Sequence, residues 1–169
     1  MKTKKTIASV PSRGEPIGTE YILSQIHWQF FVTIGLSGAK RMPLHRAVKI
    51  WNGFRGRLAK TLKSEPKRMM WAVTLEWGKS KQNPHLHALI SGLPRDASPT
   101  STIEAMTYIG HDMELRDVHA EAYVRGLNAA AYLLKELNSH AGLLRPDNDC
   151  WPMISGSTWR ALQRHPNRR

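Results

Sequence analysis

Two alternating segments joined by a seven-residue polar connector constrain this chain more than anything else in it. Residues 69–77 (MMWAVTLEW) place Trp71, Val73 and Leu75 on one face of an extended strand, and Met70, Ala72, Thr74 and Glu76 on the other. Residues 85–91 (HLHALIS) repeat the pattern, with His85, His87 and Leu89 opposite Leu86, Ala88 and Ile90. The connector GKSKQNP has turn composition, so the pair reads as an antiparallel hairpin. Paired across that loop, Glu76 falls opposite His85, about 5 Å away by cross-strand spacing.

The other elements build an α+β fold around this hairpin. Residues 28–36 (WQFFVTIGL) are β-branched and aromatic and stop at Ser-Gly, which predicts a first strand. Pro43 opens a helix to about residue 63, with Leu44, Val48, Trp51, Leu58 and Leu62 as its apolar stripe. Arg46, Lys49, Arg57, Lys60 and Lys63 occupy its other face, while Gly53 and Gly56 weaken it. Ser101-Thr-Ile-Glu104 has the form of a capping box and predicts a short helix ending near Gly110. A fourth strand is expected over 112–119 and a helix from about Glu121 to Asn138. Strands interrupted by helices, with a hairpin among them, point to an antiparallel sheet with flanking helices. The length suits one domain, read as a basic N-terminal arm over 1–25, a folded body over 26–145 and a basic C-terminal segment over 146–169.

Charge narrows the partners. The chain carries 25 Lys and Arg against 13 Asp and Glu, a net +12, which favours a polyanion. No apolar run approaches the length of a spanning helix, so nucleic acid is expected rather than membrane. The N-terminus starts basic but lacks the apolar core of a secretory signal. Cys150 is the single cysteine, so no intramolecular disulfide and no cysteine-rich zinc cluster can form; a reducing, cytoplasmic setting is expected.

Two residue groups carry chemistry. A lone His-x-His is a weak signal, because strands often expose polar residues at alternate positions. A carboxylate on the same face of the neighbouring strand changes this, since Glu76, His85 and His87 then offer one oxygen and two nitrogens. Such a set suits Mn²⁺, Mg²⁺, Zn²⁺ or Co²⁺, with positions left open. Tyr132 and Lys135 lie one helical turn apart and outside the stripe formed by Leu127, Ala130, Ala131 and Leu134, which Tyr123 joins as a packing residue. Tyr132 is a candidate nucleophile, and Lys135 a source of positive charge beside it. Asn128 shares their polar side. Trp77, Lys79 and Lys81, at the mouth of the connector, are candidate nucleic-acid contacts, as are Trp28 and the tail from Trp159; Trp51 and Trp71 sit on apolar faces and are expected in the core.

The motifs in this order resemble the HUH endonucleases, named for histidine-hydrophobic-histidine, and among them the rolling-circle replication initiators. His85-Leu86-His87 matches the central motif, Glu76 the upstream acidic ligand, and Tyr132-Leu-Leu-Lys135 the tyrosine motif of the single-tyrosine branch. Residues 28–36 resemble the loosely specified first motif, so the likeness covers roughly 27–138. It implies a five-stranded antiparallel sheet, a relative of the ferredoxin-like fold, with the histidine strand at its centre and the tyrosine helix near it. It also implies a Mn²⁺ or Mg²⁺ ion on Glu76, His85 and His87, and attack by Tyr132 on single-stranded DNA to leave a 5′-phosphotyrosine. Asn128 stands where two-tyrosine members have their second tyrosine, so one nucleophile per chain is expected. No Walker motif is present, which assigns unwinding to a partner such as a host helicase. No small-molecule cofactor besides the metal is expected. Three readings compete: a single-tyrosine transposase with the same chemistry, a basic binding module with structural histidines, and a metal-dependent hydrolase using water.

Overall fold

The computed structural model describes residues 23, 26–37, 43–77, 84–124, 133, 153–155 and 158. The chain order is β1 (Phe30–Gly35), α1 (Leu44–Thr61), β2 (Met70–Trp77), β3 (Pro84–Ser91), α2 (Pro99–Asp112), β4 (Asp117–Ala122) and β5 (Met153–Ile154). The strands pair antiparallel in the order β4-β1-β3-β2-β5, which puts the histidine strand in the middle. Four of these are full strands; at the fifth position, which the resemblance fills with a strand, two residues are in strand among the described ones.

Alternation gives the sheet two different faces. Phe30, Val32 and Ile34 of β1, Trp71 and Val73 of β2, and Leu86, Ala88 and Ile90 of β3 point to one side, where they pack with Ala47, Trp51, Phe54 and Leu58 of α1 and Met106 and Ile109 of α2. Trp51 stands edge-on to Trp71 at 5.5 Å between ring centroids, so both are core residues as their faces predict. The α1 stripe is centred on Ala47, Trp51, Phe54 and Leu58; Val48 is only half-buried at its flank. On the opposite side a smaller cluster of Leu23, Ile26, Trp28, Ala72, Leu89 and Leu133 covers one end of the sheet, with Phe31, Met70 and Tyr123 against it.

Several boundaries move from their sequence positions. Ser98, not Ser101, caps α2: its side chain accepts from the Ser101 N–H at 3.0 Å, and Pro99 follows at the first helical position, where its missing N–H is no loss. β4 starts five residues later than expected and ends three later, taking in Glu121, so the predicted helix does not begin there. Its partner decides this, because Thr33 faces His119 and Phe31 faces Glu121 in the β1 register. Trp28 is buried, with its indole N–H donated to the Leu23 carbonyl at 2.8 Å, and is not open to stack a base. Leu23, placed in the N-terminal arm, is thus part of the core. Ser155 and Thr158, placed in the basic C-terminal segment, are likewise buried against the Trp71 backbone. Within the 121–138 prediction Ala122 is also in β4 and Leu133 is helical, while 125–132 and 134–138, like most of both ends, lie outside the described residues. Among the described residues no helix is long and apolar enough to cross a membrane.

Both helices end in the same way. After α1, Ser64 N–H bonds Ala59 O and Lys63 N–H bonds Lys60 O, with Lys63 at φ 50. After α2, Leu115 N–H bonds Gly110 O and Glu114 N–H bonds His111 O, with Glu114 at φ 53. These are Schellman closures carried by residues that resist left-handed backbone. Glu114→Gly is therefore expected to stabilise the fold by about 0.5–1 kcal/mol, read from the midpoint of urea denaturation. Gly92 works the opposite way: at φ 75, with the Arg68 carbonyl where a Cβ would sit, Gly92→Ala should cost about 1–3 kcal/mol in the same experiment.

Candidate metal centre

The hairpin register assembles the centre. Glu76 is paired with His85, and Thr74 with His87, so the carboxylate and both imidazoles share the sheet face away from α1 and α2. Glu76 Oε2 lies 2.7 Å from His87 Nε2 and 3.5 Å from His85 Nε2. The two rings stand nearly perpendicular with centroids 4.7 Å apart. One ligand atom from each of the three residues falls within 4.8 Å of the other two. An imidazole nitrogen and a carboxylate oxygen at 2.7 Å need a proton or a cation between them, because two lone pairs at that distance repel.

Each ligand is held differently. His87 is almost fully enclosed, with its Nδ1 3.1 Å from the Thr33 hydroxyl and its ring stacked nearly parallel to Phe31 at 5.7 Å. With its proton on Nδ1 and donated to Thr33, His87 presents the Nε2 lone pair to the centre, the usual arrangement behind a metal-bound histidine. Burial, and then the neighbouring His85, push the His87 pKa below its ordinary value; the charge and hydrogen bond of Glu76 offset this in part. A histidine kept neutral is a ready ligand. Glu76 and His85 each keep a quarter of their side-chain surface exposed, so the centre opens to solvent on their side. Two nitrogens and one oxygen, with no thiolate, fit a divalent ion that keeps sites free for another ligand.

Thr33 and Phe31 are the site residues that the sequence reading misses. Their signal is the β1 alternation, but only the register, Thr33 opposite His87 and Phe31 opposite Leu89, shows what they touch. One row further, Gly35 lies between His85 on β3 and Asp117 on β4. The Asp117 carboxylate lies where a Cβ at residue 35 would sit, so a larger residue there would displace that side chain.

Of the other predicted site residues, Trp77 ends β2 opposite Pro84. Lys79, Lys81, Asn128, Tyr132 and Lys135 lie outside the described residues. Leu133, next to Tyr132 in the sequence, is described and is 1% exposed; it packs with Ala72 and Leu89, which share the face of the metal centre. The chain at residue 133 therefore lies on the same side of the sheet as Glu76, His85 and His87. No family model, no curated protein and no solved structure matches the chain.

Thr33→Val should weaken Mn²⁺ binding about 10–100-fold by isothermal titration calorimetry, with the fold intact by circular dichroism, because the histidine loses the group that orients it. The lowered His87 pKa also sets a stability trend. Between its folded and unfolded values the unfolded chain binds more protons, so stability rises with pH. Metal-free protein should melt at progressively lower temperature as pH falls below about 6.5, and His87→Gln should flatten that trend.

Proposed function

We propose that this protein is a metal-dependent endonuclease that nicks single-stranded DNA through a covalent tyrosine adduct, as the HUH rolling-circle initiators do. The observation that carries the proposal is the convergence of Glu76, His85 and His87 on one face of the central strand. The burial of Leu133 on that same face supports it, since Leu133 is the neighbour of Tyr132 in the sequence. The net charge of +12 suits a phosphate backbone as substrate.

In this reading Glu76, His85 and His87 would hold a Mn²⁺ or Mg²⁺ ion, which when bound would supply Lewis-acid polarisation of the scissile phosphate. Tyr132 is the nucleophile. Its phenolic oxygen forms a bond to phosphorus as the bond to the 3′-oxygen breaks; the phenol proton is lost to solvent and the leaving oxygen takes one up. The products are a 5′-phosphotyrosine and a free 3′-hydroxyl, and because one phosphodiester replaces another, the reverse reaction can rejoin the strand. Lys135 places positive charge beside the phenolate as it develops. Thr33 and Phe31 fix the His87 ring, which keeps the ligand set in place while the substrate enters from the exposed side. Trp77, Lys79, Lys81 and Asn128 are the proposed contacts to the strand. A host helicase would do the unwinding.

The test is a labelled pool of random single-stranded DNA incubated with the protein and Mn²⁺ and resolved on a denaturing gel. A protein–DNA band that vanishes with EDTA, with His87→Ala and with Tyr132→Phe is the expected result. Tyr132→Phe should still bind DNA within about twofold of wild type, since one hydroxyl is worth little to a contact made mainly through phosphates. Cleavage without an adduct would point to water as the nucleophile, and unchanged cleavage in Tyr132→Phe would remove that residue from the reaction.

A further inference from the structure

The far side of the sheet carries a second charged surface that the metal centre does not use. From residue 21 to residue 64 the chain contains no Asp or Glu. α1 lies inside that span, and its outward residues Arg46, Lys49, Asn52, Gly56, Arg57 and Lys60 are exposed. At about 100° per residue, Lys49, Gly56 and Lys60 fall within one narrow arc, with Arg46 at its edge and Lys63 just past the helix end. Arg57 pairs with Asp112 of α2, but Arg46, Lys49, Lys60 and Lys63 have no acidic partner among the described residues. Arg55 turns away, lying 5.4 Å over the Trp71 ring and bonded to Asn52. Lys49 and Lys60 are about 16 Å apart along the helix axis.

Gly56 is the independent observation. A Cβ added there meets nothing within 4 Å, and its backbone has no positive φ, so neither packing nor conformation demands glycine. In a helix interior glycine costs about 1 kcal/mol relative to alanine. Gly35 and Gly110 differ, because a Cβ at either would strike a neighbouring side chain. What the missing side chain at Gly56 provides is a flat place between two lysines, where another molecule can approach the helix backbone.

We propose that this face of α1 binds the sugar-phosphate backbone of duplex DNA, on the side of the sheet opposite the metal centre. The surface chemistry selects that partner. Single strands are held by aromatic platforms as well as charge, and the aromatic residues of α1, Trp51 and Phe54, are both fully buried. An anionic membrane would take an amphipathic helix with apolar residues beside its cations, but Ile50 and Leu62 are packed against the core. A rigid cationic face with neither feature fits regularly spaced phosphates, which position a duplex without reading its sequence. The proposal does not depend on cleavage at the metal centre.

The experiment is fluorescence anisotropy of the full-length protein with a random-sequence duplex of about 30 base pairs, titrated with salt and kept in EDTA to silence the metal centre. The triple variant Arg46→Gln, Lys49→Gln, Lys60→Gln should bind at least about tenfold more weakly at about 100 mM salt, and its log–log salt slope should be smaller by roughly 2–3, the value for three lost phosphate contacts. Gly56→Leu adds bulk but removes a helix-weakening glycine, so it should melt no lower than wild type and yet bind duplex several-fold more weakly. Unchanged affinity and slope in the triple variant would overturn the proposal. So would an α1-dependent preference for a single strand of the same length, or α1-dependent binding to phosphatidylserine vesicles with duplex binding unaffected.

Discussion

The two-sided pairing of β3 is the constraint on which the rest of this structure depends. Its partner β2 sets Glu76 opposite His85, and its partner β1 sets Thr33 opposite His87. A slip of one residue in either ladder would turn alternate side chains to the wrong face. The apolar residues on the other face of β3 resist that slip: Leu86, Ala88 and Ile90 are fully buried beneath α1 and α2, and reversing the strand would put two imidazoles in that apolar core in their place. The core thus fixes the site by fixing the register, without touching the ligands directly.

The sheet face that carries the centre is divided along its length. Leu23, Ile26, Trp28 and Leu133 cover the end around Ala72 and Leu89, while Glu76 and His85 remain partly open at the other. Phe31 belongs to both regions, packed against that apolar cluster and stacked on His87. The environment that keeps His87 neutral is therefore continuous with the packing that holds residue 133 on this face. The candidate ligand set and Leu133 thus share one set of contacts.

Charge is distributed differently from chemistry. The candidate metal centre draws on a carboxylate and two histidines on one side, whereas α1 presents exposed cations on the other, most without an acidic partner among the described residues, with the hydrophobic core between them. The two surfaces lie on opposite sides of the sheet, so one straight segment could not contact both. In our proposals they divide the work, with single-stranded substrate at the centre and flanking duplex held by phosphate contacts alone.

The hairpin, the two faces of each of its strands, the convergence of Glu76 with His85 and His87, and the body of α1 were legible in the sequence, because side-chain alternation and helical periodicity are local properties that follow from backbone geometry. The placement of β4 was not legible, since its weak pattern takes a register only from pairing with β1. The Ser98 cap was hidden behind an equally plausible Ser101, and the left-handed closures at Lys63 and Glu114 carry no glycine to mark them. Thr33 behind His87, Phe31 on its ring, and Asp117 across Gly35 join residues from separate strands. The sequence by itself determined which side chains could bind a metal and which face of each strand they occupy. Only the tertiary structure decided what surrounds them, because contacts between distant segments are set by the packing of the whole sheet rather than by any local period.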